Sequence, residues 1–328
     1  MAQRGSEVNG QPDMAGRRGD IGVEAESPTQ IPVRGWRQVL GRAIRESLEH
    51  NISLLAAGVA FFAFLALFPA LIASVTLVGL VADPQWITEQ VRSFTVGLPQ
   101  DSQQLITDQL ATITQSSGGA LTIGLALSLL VALWSASSGT SSLMMAVNLA
   151  YDEKEKRSFV KLRGLALLLT LGAVVFLILT LALIAVVPVV LRVVPLGSVG
   201  TVLAQVLRWA LLLALFVVGL AVLYRMAPDR NPPKFRWVTP GSIVATLLWL
   251  GGSAGFSLYV AFFANYNKTY GAVTGVIVLL LWLFLTCYVM LLGAEINSEA
   301  ERQTARDTTI GEPQPMGQRG AVVADSLP

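Results

Sequence analysis

Long apolar segments alternate with short polar ones between residues 51 and 296. An α-helix rises about 1.5 Å per residue, so about 20 apolar residues cross a hydrocarbon core roughly 30 Å thick. Six segments meet this requirement. The pattern therefore predicts six transmembrane helices, at residues 51–82, 120–149, 164–191, 202–224, 238–263 and 273–296.

The remaining segments are amphipathic or polar. Residues 32–50 place apolar side chains at helical spacing with arginines between them, which predicts a basic amphipathic helix on an anionic membrane surface. Residues 84–116 predict shorter amphipathic helices at the opposite interface. Residues 1–31 and 304–328 are rich in Gly, Pro and Gln, and this composition predicts disordered tails.

Composition supports an all-α integral membrane protein. Hydrophobic residues make up 53% of the chain and charged residues 13%, against about 25% charge in soluble domains. The net charge of +2 is divided among loops, which argues against a nucleic-acid partner. A single cysteine, Cys287, and a single histidine, His50, are too few for Cys-based or paired-His metal sites, and no cofactor is expected.

Lysine and arginine predict the orientation. They cluster in the segments on one side of the predicted bundle, whereas the other side carries only Arg92, Arg192, Arg208 and Lys268. By the positive-inside rule, both termini and the basic loops are cytoplasmic. Arg208 is the charge closest to the predicted membrane interior, and it either snorkels to the outer surface or attracts an anion.

The second predicted span is unusual because its inner half is rich in hydroxyl side chains. Ser137, Ser138 and Ser141 belong to a run of small polar residues that covers several helix faces. Such a run predicts either a wet cavity or a tightly packed helix whose hydroxyls bond to the carbonyls four residues earlier. Asn148 and Tyr151 mark the exit of this span.

The link at 265–271 and the end of the sixth span supply the other polar candidates. The link contains two tyrosines, two asparagines and a closing glycine, which indicate a substrate gate or an ordinary aromatic-belt turn. Glu295, Glu299 and Arg302 share one helix face, and Lys154, Arg157 or Arg163 are expected to pair with Glu295. The full candidate path comprises Ser137, Ser138, Ser141, Asn148, Tyr151, Tyr266, Asn267, Tyr270, Gly271, Glu295 and Asn297, with Pro69 as a candidate hinge or packing kink.

From about Trp36 to Arg302 the chain resembles the YihY/BrkB family of bacterial inner-membrane proteins, formerly labelled ribonuclease BN. The matching motifs are Ala56-Ala57 through Phe68-Pro69, Asn148-Leu149-Ala150-Tyr151, Pro240-Gly241 with Leu248-Trp249, Tyr266 to Gly271, and Leu281-Trp282 through Gly293 to Asn297. The resemblance implies a six-helix protein of the cytoplasmic membrane linked to envelope integrity, serum resistance or lipid export. Phe62 and Phe284 stand where the family pattern commonly has tyrosine, so a mechanism that needs those hydroxyls is doubtful here.

These observations favour a non-enzymatic membrane protein that binds or moves a lipid or another anionic amphiphile. Membrane lipids, including anionic ones, are the expected partners, and the oligomeric state is open. The alternative is a noncatalytic scaffold or envelope-integrity factor that acts through its tails and amphipathic helices. A ribonuclease would need acid–base groups or metal-binding carboxylates near an RNA backbone, and the short polar segments do not predict such a group.

Overall fold

The computed structural model describes residues 21–81, 123–188, 197–263 and 272–327. This part of the chain is helical, with no strand beyond an isolated bridge between Pro233 and Thr309. A 3-10 turn, Pro28–Gln30, precedes the first long helix. The long helices are α1 (Val33–Glu49), α2 (Ile52–Val81), α3 (Ile123–Ala150), α4 (Phe159–Leu181, continued by the π-helical turn Ala182–Val186), α5 (Gly197–Met226), α6 (Phe235–Phe263) and α7 (Ala272–Arg302).

Each of the six predicted spans falls on one of the helices α2 to α7. Among the described residues, four helices are long and apolar enough to cross a membrane, and they are Phe159–Ile184, Val199–Met226, Phe235–Ala261 and Gly275–Arg302. A fifth is obtained when α1 and the first half of α2, which meet at 66°, are taken as one broken span. The structure thus supports an all-helical membrane protein, while the six-span count and the cytoplasmic termini stay predictions.

Helix α7 lies at the centre of the packing and contacts α1, α2, α3 and α6. Helices α2 and α3 form a second close pair, α4 packs on α3, and α5 packs on α6. On α2, Ala56 and Ala60 are buried whereas Ala57 and Gly58 are exposed. One face of α2 thus packs inside the bundle through small residues, which let neighbouring helices approach closely.

Helices α6 and α7 cross closely at Gly241. A Cβ atom on Gly241 would collide with the carbonyl oxygen of Gly293. Asn297 fastens the crossing, because its Oδ1 accepts the Gly241 N–H at 2.7 Å and its Nδ2 donates to the Val238 carbonyl at 3.0 Å. From the opposite side, the Tyr224 hydroxyl of α5 donates to the Met290 carbonyl at 2.7 Å.

Helix α1 has two distinct faces. Val39, Ala43 and Ser47 are buried on the side that packs on α7. The opposite face exposes a stripe of apolar side chains at helical spacing, namely Val33, Leu40, Ile44 and Leu48. An exposed apolar stripe beside arginines is the pattern of a helix lying in a membrane interface. We call the end of the bundle that carries α1, the α3–α4 loop and the α5–α6 loop the α1 face.

The chain after α7 is folded, which corrects the predicted disorder of residues 304–328. The Lys234 N–H donates to the Thr308 carbonyl at 2.9 Å, and the Ile310 N–H donates to Pro232 at 3.0 Å. Farther along, Arg319 is buried and its guanidinium binds several backbone carbonyls, including that of Ala305 at 2.6 Å. These backbone pairings with the α5–α6 loop provide the order that Gly/Pro-rich composition does not predict.

The N-terminal prediction is corrected in part. Residues 1–20 lie outside the described chain, but residues 21–31 pack against the α1 face. Ala25 and Ile31 bury Trp237 in a small apolar cluster, and the Val23 carbonyl accepts the Ala305 N–H at 2.7 Å. Contacts with the start of α6 and with the chain after α7 hold this segment in place.

Candidate functional site

Six charged side chains form a continuous series of ion pairs at the α1 face, which we call the charge chain. One member is His50, in the bend between α1 and α2, which pairs with two carboxyl groups. His50 Nδ1 lies 2.8 Å from Glu295 Oε1, and His50 Nε2 lies 3.3 Å from Asp152 Oδ1. The members are Arg42, His50, Asp152, Glu295, Glu299 and Arg302.

The series continues along α7. Arg302 pairs with Asp152 and, at 2.8 Å, with Glu299. The second oxygen of Glu299 accepts the Nε–H of Arg42 at 2.5 Å, and Arg42 also donates to Gln303 at 2.7 Å. Residues 295, 299 and 302 share one face of α7, as predicted. The charge chain therefore ties α1, the α1–α2 bend, the α3–α4 loop and α7 together.

These contacts shift the pKa values of His50 and Asp152 in opposite directions. Hydrogen bonds to Asp152 and Glu295 raise the pKa of His50 to about 10. The same bond to His50, with the bond to Arg302, lowers the pKa of Asp152. A protonated His50 uses both N–H groups as donors, and the charge chain then contains three cations and three acidic side chains. Glu295 pairs with His50, so the predicted pairing with Lys154, Arg157 or Arg163 is wrong.

Asn148 holds two loops of the α1 face together. Its Nδ2 donates to Glu155 at 2.9 Å and its Oδ1 accepts the backbone N–H of Asp229 at 2.7 Å. Glu155 also accepts the Arg157 guanidinium at 2.6 Å, and this bond lowers the pKa of Glu155. Asn148 is 3% exposed, so its amide serves the loop contacts rather than an open channel wall.

We expect Asn148→Ala to lower the free energy of unfolding by about 2 kcal/mol, because a buried loop amide and carboxylate each lose a partner. The loss would appear as a lower melting temperature and faster proteolysis of the α3–α4 loop in detergent. Ser158→Ala is the matched control, since the Ser158 side chain makes no cap hydrogen bond at the start of α4. Equal melting temperatures for the two variants would show that Asn148 does not hold the two loops together.

A separate ion pair at the α1 face is fully buried. Arg230 and Glu301 are 2.6 Å apart, and neither side chain is exposed. Thr308 also donates to Glu301 at 2.8 Å. The Arg230 guanidinium lies 5.0 Å from the ring of Tyr151, and burial raises the pKa of the Tyr151 phenol. Tyr151, a predicted path residue, is therefore fully buried beside this ion pair.

The hydroxyl-rich half of α3 packs against α4. Ser137 and Ser141 donate to backbone carbonyls one turn earlier on their own helix, at 2.7 and 3.0 Å. Thr140 bonds to Thr170 of α4 at 2.8 Å. Of the two interpretations of this run, the packed helix with hydroxyl-to-carbonyl bonds describes these contacts.

Ser138 and Ser141 also meet a cation from α4, and we call this group the Arg163 site. The Arg163 guanidinium donates to Ser138 Oγ at 3.0 Å and to Ser141 Oγ at 3.3 Å, and it lies 4.3 Å from the ring of Trp134. It also donates to the Trp134 carbonyl at 2.5 Å. Its Nε–H is buried without a partner, and no carboxylate pairs with it in the described part of the chain.

The predicted path residues do not form one continuous surface in the described chain. Ser138 and Ser141 contact Arg163 of α4, whereas Ser137 bonds to its own helix. Asn148 joins two loops, and Tyr151 lies against the Arg230 guanidinium. On α7, Glu295 belongs to the charge chain and Asn297 to the α6–α7 crossing. Tyr266, Asn267, Tyr270 and Gly271 lie outside the described residues, and Pro69 lies within continuous helix α2. No group of three or more His, Cys, Asp or Glu side chains suited to a metal occurs among the described residues.

Residues 43–316 match the family described as Virulence factor BrkB. The chain belongs to the BrkB family. This confirms the resemblance inferred from the sequence motifs and places the α1–α7 bundle in a family of membrane proteins.

Two curated BrkB relatives illustrate the range of similarity. The chain is 34% identical over 252 residues to a Bacillus subtilis protein named YfkH and described as ribonuclease-like, covering 74% of this chain and 88% of that protein. It is 36% identical over 101 residues to the membrane protein YihY of Salmonella arizonae, covering 31% of this chain and 34% of that protein. No solved structure matches this BrkB chain.

The sequence analysis missed His50 and Arg42 as interacting residues, and it gave Arg163 a different partner. His50 was visible as the only histidine, placed directly before a long apolar segment. Its significance depends on the 66° bend between α1 and α2, which turns the ring toward α7. The α4 partner of the serine run depends on helix packing, which a single sequence does not reveal.

Proposed function

We propose that this BrkB protein binds the anionic head group of a membrane lipid or another amphiphile at the Arg163 site and moves it along α3 and α4. The observation that carries the proposal is a cation flanked by hydroxyls and aromatic rings but by no described carboxylate. By contrast, Arg42, Arg157, Arg230 and Arg302 each have a carboxylate partner. An arginine at the membrane boundary without an acidic partner in the described chain favours an anionic ligand.

The surroundings of Arg163 suit a lipid head group. Trp134 and Phe159 are both exposed, and their ring centroids lie 6.4 Å apart. Aromatic rings of this kind mark the head-group level of a bilayer. Three of the five guanidinium N–H groups bond to α3, which leaves donors for a phosphate oxygen. The proposal places the protein in the bacterial cytoplasmic membrane, with the basic α1 face toward the cytoplasm.

Lipid movement would be measured in proteoliposomes with fluorescent phosphatidylglycerol or phosphatidylcholine and a membrane-impermeant quencher. We expect the protein to accelerate loss of protected phosphatidylglycerol signal, and Arg163→Gln to slow it about tenfold, the cost of one charged hydrogen-bonded contact. Arg163→Lys should retain part of the activity, and Ser138→Leu should block it by filling the site.

Arg236→Gln is the matched control, because Arg236 is an exposed arginine at the start of α6 on the same α1 face. Unchanged transport in this variant would separate the Arg163 site from general surface charge. If the protein accelerates neither lipid, or if Arg163→Gln moves lipid as fast as the parent, the proposal fails.

The scaffold function is the second candidate, and the folded segment after α7 favours it. This segment forms an ordered surface on the α1 face, where the Val322 N–H binds Glu153 at 2.7 Å. A scaffold should lose its envelope phenotype when residues 312–327 are deleted and should keep it in Arg163→Gln. Lipid movement predicts the reverse result. We do not propose ribonuclease activity, because the described carboxylates of the charge chain are engaged with cations.

A further inference from the structure

The chain after α7 places apolar side chains inside the bundle at the α1 face. We call residues 304–327 the strap. Within it, Ala321, Val323 and Ala324 are each at most 3% exposed. Val323 belongs to the main core cluster, where it joins side chains of the long helices. A side chain of the strap therefore completes the core packing at this end of the bundle.

Residues 320–324, which we call the strap tip, are bonded to two different loops. The Val322 N–H donates to the Glu153 carboxyl group of the α3–α4 loop at 2.7 Å. In the α5–α6 loop, Asn231 donates its backbone N–H to the Gly320 carbonyl at 3.0 Å. The Asn231 side chain also donates to the adjoining Arg319 carbonyl at 2.7 Å. The strap tip thus links the loop that leads into α4 to the loop that leads into α6.

The α3–α4 loop connects the strap tip to the Arg163 site. This loop runs from Ala150, where α3 ends, to Phe159, where α4 begins, and Arg163 lies about one turn farther along α4. Because Glu153 lies within this loop, its bond to the strap tip restrains the start of α4. Passage of a head group between α3 and α4 requires α4 to move, since the Arg163 guanidinium bonds to α3.

We propose that the strap is an autoinhibitory element, which slows lipid movement at the Arg163 site while its tip is docked. The inference rests on the proposed function and adds a means of regulating it. The docked tip fills the space between the loops with a buried side chain and bonds to the loop that begins α4. It therefore favours the closed arrangement of α3 and α4. Release of the tip removes this restraint and lets α4 move.

Val323→Asp in the full-length protein should release the strap tip, because a carboxylate is unfavourable at a fully buried apolar position. Release would be measured in detergent as tryptic cleavage after Arg319, which is 4% exposed in the docked strap. Cleavage of a transiently opened segment follows the population of its open state. We expect Val323→Asp to be cleaved there at least about tenfold faster than the parent.

Leu327→Asp is the matched control, because it makes the same kind of change at a strap side chain that is 45% exposed. This variant should be cleaved at the parent rate. Glu153→Ala is a second test variant, which removes the acceptor of the Val322 N–H without placing a charge in the core. It should accelerate cleavage about fivefold, the effect of one lost hydrogen bond.

The same proteins would then be compared in the phosphatidylglycerol assay. Val323→Asp and Glu153→Ala should each move lipid about threefold faster than the parent, because the population with a released tip increases. Leu327→Asp should move lipid at the parent rate. Adding Arg163→Gln to Val323→Asp should remove the gain, since the strap is inferred to act on that site.

The strap and the proposed function fail in different ways. If the parent moves lipid and neither test variant is faster despite faster cleavage, the strap is only structural and the inference is wrong. Unchanged cleavage in both variants would also overturn it, because the tip would then not be released by losing its contacts. If none of the proteins moves lipid, the proposed function fails and the strap has no transport to regulate.

Discussion

Replacing Gly241 with alanine should prevent α6 and α7 from packing as they do. The new methyl group would collide with the Gly293 carbonyl oxygen and would lie 2.6 Å from the Asn297 amide. Backbone atoms cannot yield at this distance, so the helices must separate and both Asn297 hydrogen bonds must break. We expect a loss of at least about 4 kcal/mol in unfolding free energy, the range typical of severe core overpacking with loss of buried hydrogen bonds.

The experiment is thermal unfolding of purified variants in detergent, with the monodisperse yield recorded beside it. Gly251→Ala is the matched control on the same helix, because nothing lies within 4 Å of a Cβ at Gly251. Alanine favours helix over glycine, so this variant should be neutral or more stable by up to about 1 kcal/mol. Similar melting temperatures for the two variants would show that the α6–α7 crossing is not the tight contact described here.

Other close contacts around Gly241 increase the destabilisation expected for Gly241→Ala. A Cβ at Gly293 would lie 2.5 Å from the Tyr224 hydroxyl and 2.8 Å from the Ala245 side chain. Helices α5, α6 and α7 therefore meet without room for side chains at these two positions. Such packing provides van der Waals stabilisation where no hydrophobic drive between helices exists in a lipid environment.

Much of the secondary structure followed from the apolar pattern alone. Each long apolar segment forms a helix, and α1 has the amphipathic faces that its periodicity predicted. The positions of the helix ends were harder to predict from the sequence. The predicted span 202–224 corresponds to the helix Gly197–Met226, because apolar content marks the hydrocarbon depth and not the end of the backbone hydrogen-bond ladder.

The contacts at the α1 face were only partly predictable. The i, i+4, i+7 spacing placed Glu295, Glu299 and Arg302 on one face, and all three join the charge chain. The partners Arg42 and His50 come from residues more than 240 positions away in sequence, and single-sequence periodicity carries no information about such pairings. For the same reason, the order of residues 304–327 was missed, since it depends on backbone bonds to the α5–α6 loop.

The pattern of charge pairing connects the fold with the proposed function. At the α1 face, buried charges are neutralised in the charge chain and in the Arg230–Glu301 pair. Pairing of this kind fixes loops and helix ends, and it leaves no charge for a ligand. Arg163 differs because it faces a tryptophan ring instead of a carboxylate in the described chain. It is therefore a position where an anionic lipid would add an interaction that the protein itself lacks.

His50→Gln should disconnect the α1–α2 bend from α7 and the α3–α4 loop. The ring of His50 bridges Glu295 and Asp152, and Glu295 is 1% exposed. Without the imidazolium, the buried carboxyl group of Glu295 loses its hydrogen-bond partner. Removing one member of such a buried pair costs about 3 kcal/mol at pH 6. Glu49→Gln, one residue earlier in an exposed pair with Arg45, is the control and should change stability by less than about 0.5 kcal/mol.

The effect of His50 should also depend on pH, with a sign fixed by its raised pKa. The ordinary histidine pKa is 6.5, and the partners raise it to about 10 in the folded protein. The folded state therefore binds this proton more tightly than the unfolded state does. The stabilisation is complete below pH 6.5 and declines as the pH rises from 6.5 through about 10.

The parent and His50→Gln should thus converge in stability as the pH increases. Melting temperatures would be measured in detergent from pH 6 to pH 10, and the difference between the two proteins would be plotted against pH. Lysine and tyrosine titrations occur in both proteins and cancel in this difference, which isolates His50 and its two carboxylate partners. A difference that stays constant over this range would show that His50 acts by packing alone. A decreasing difference would show that protonated His50, through its bonds to Asp152 and Glu295, stabilises the α1–α2 bend.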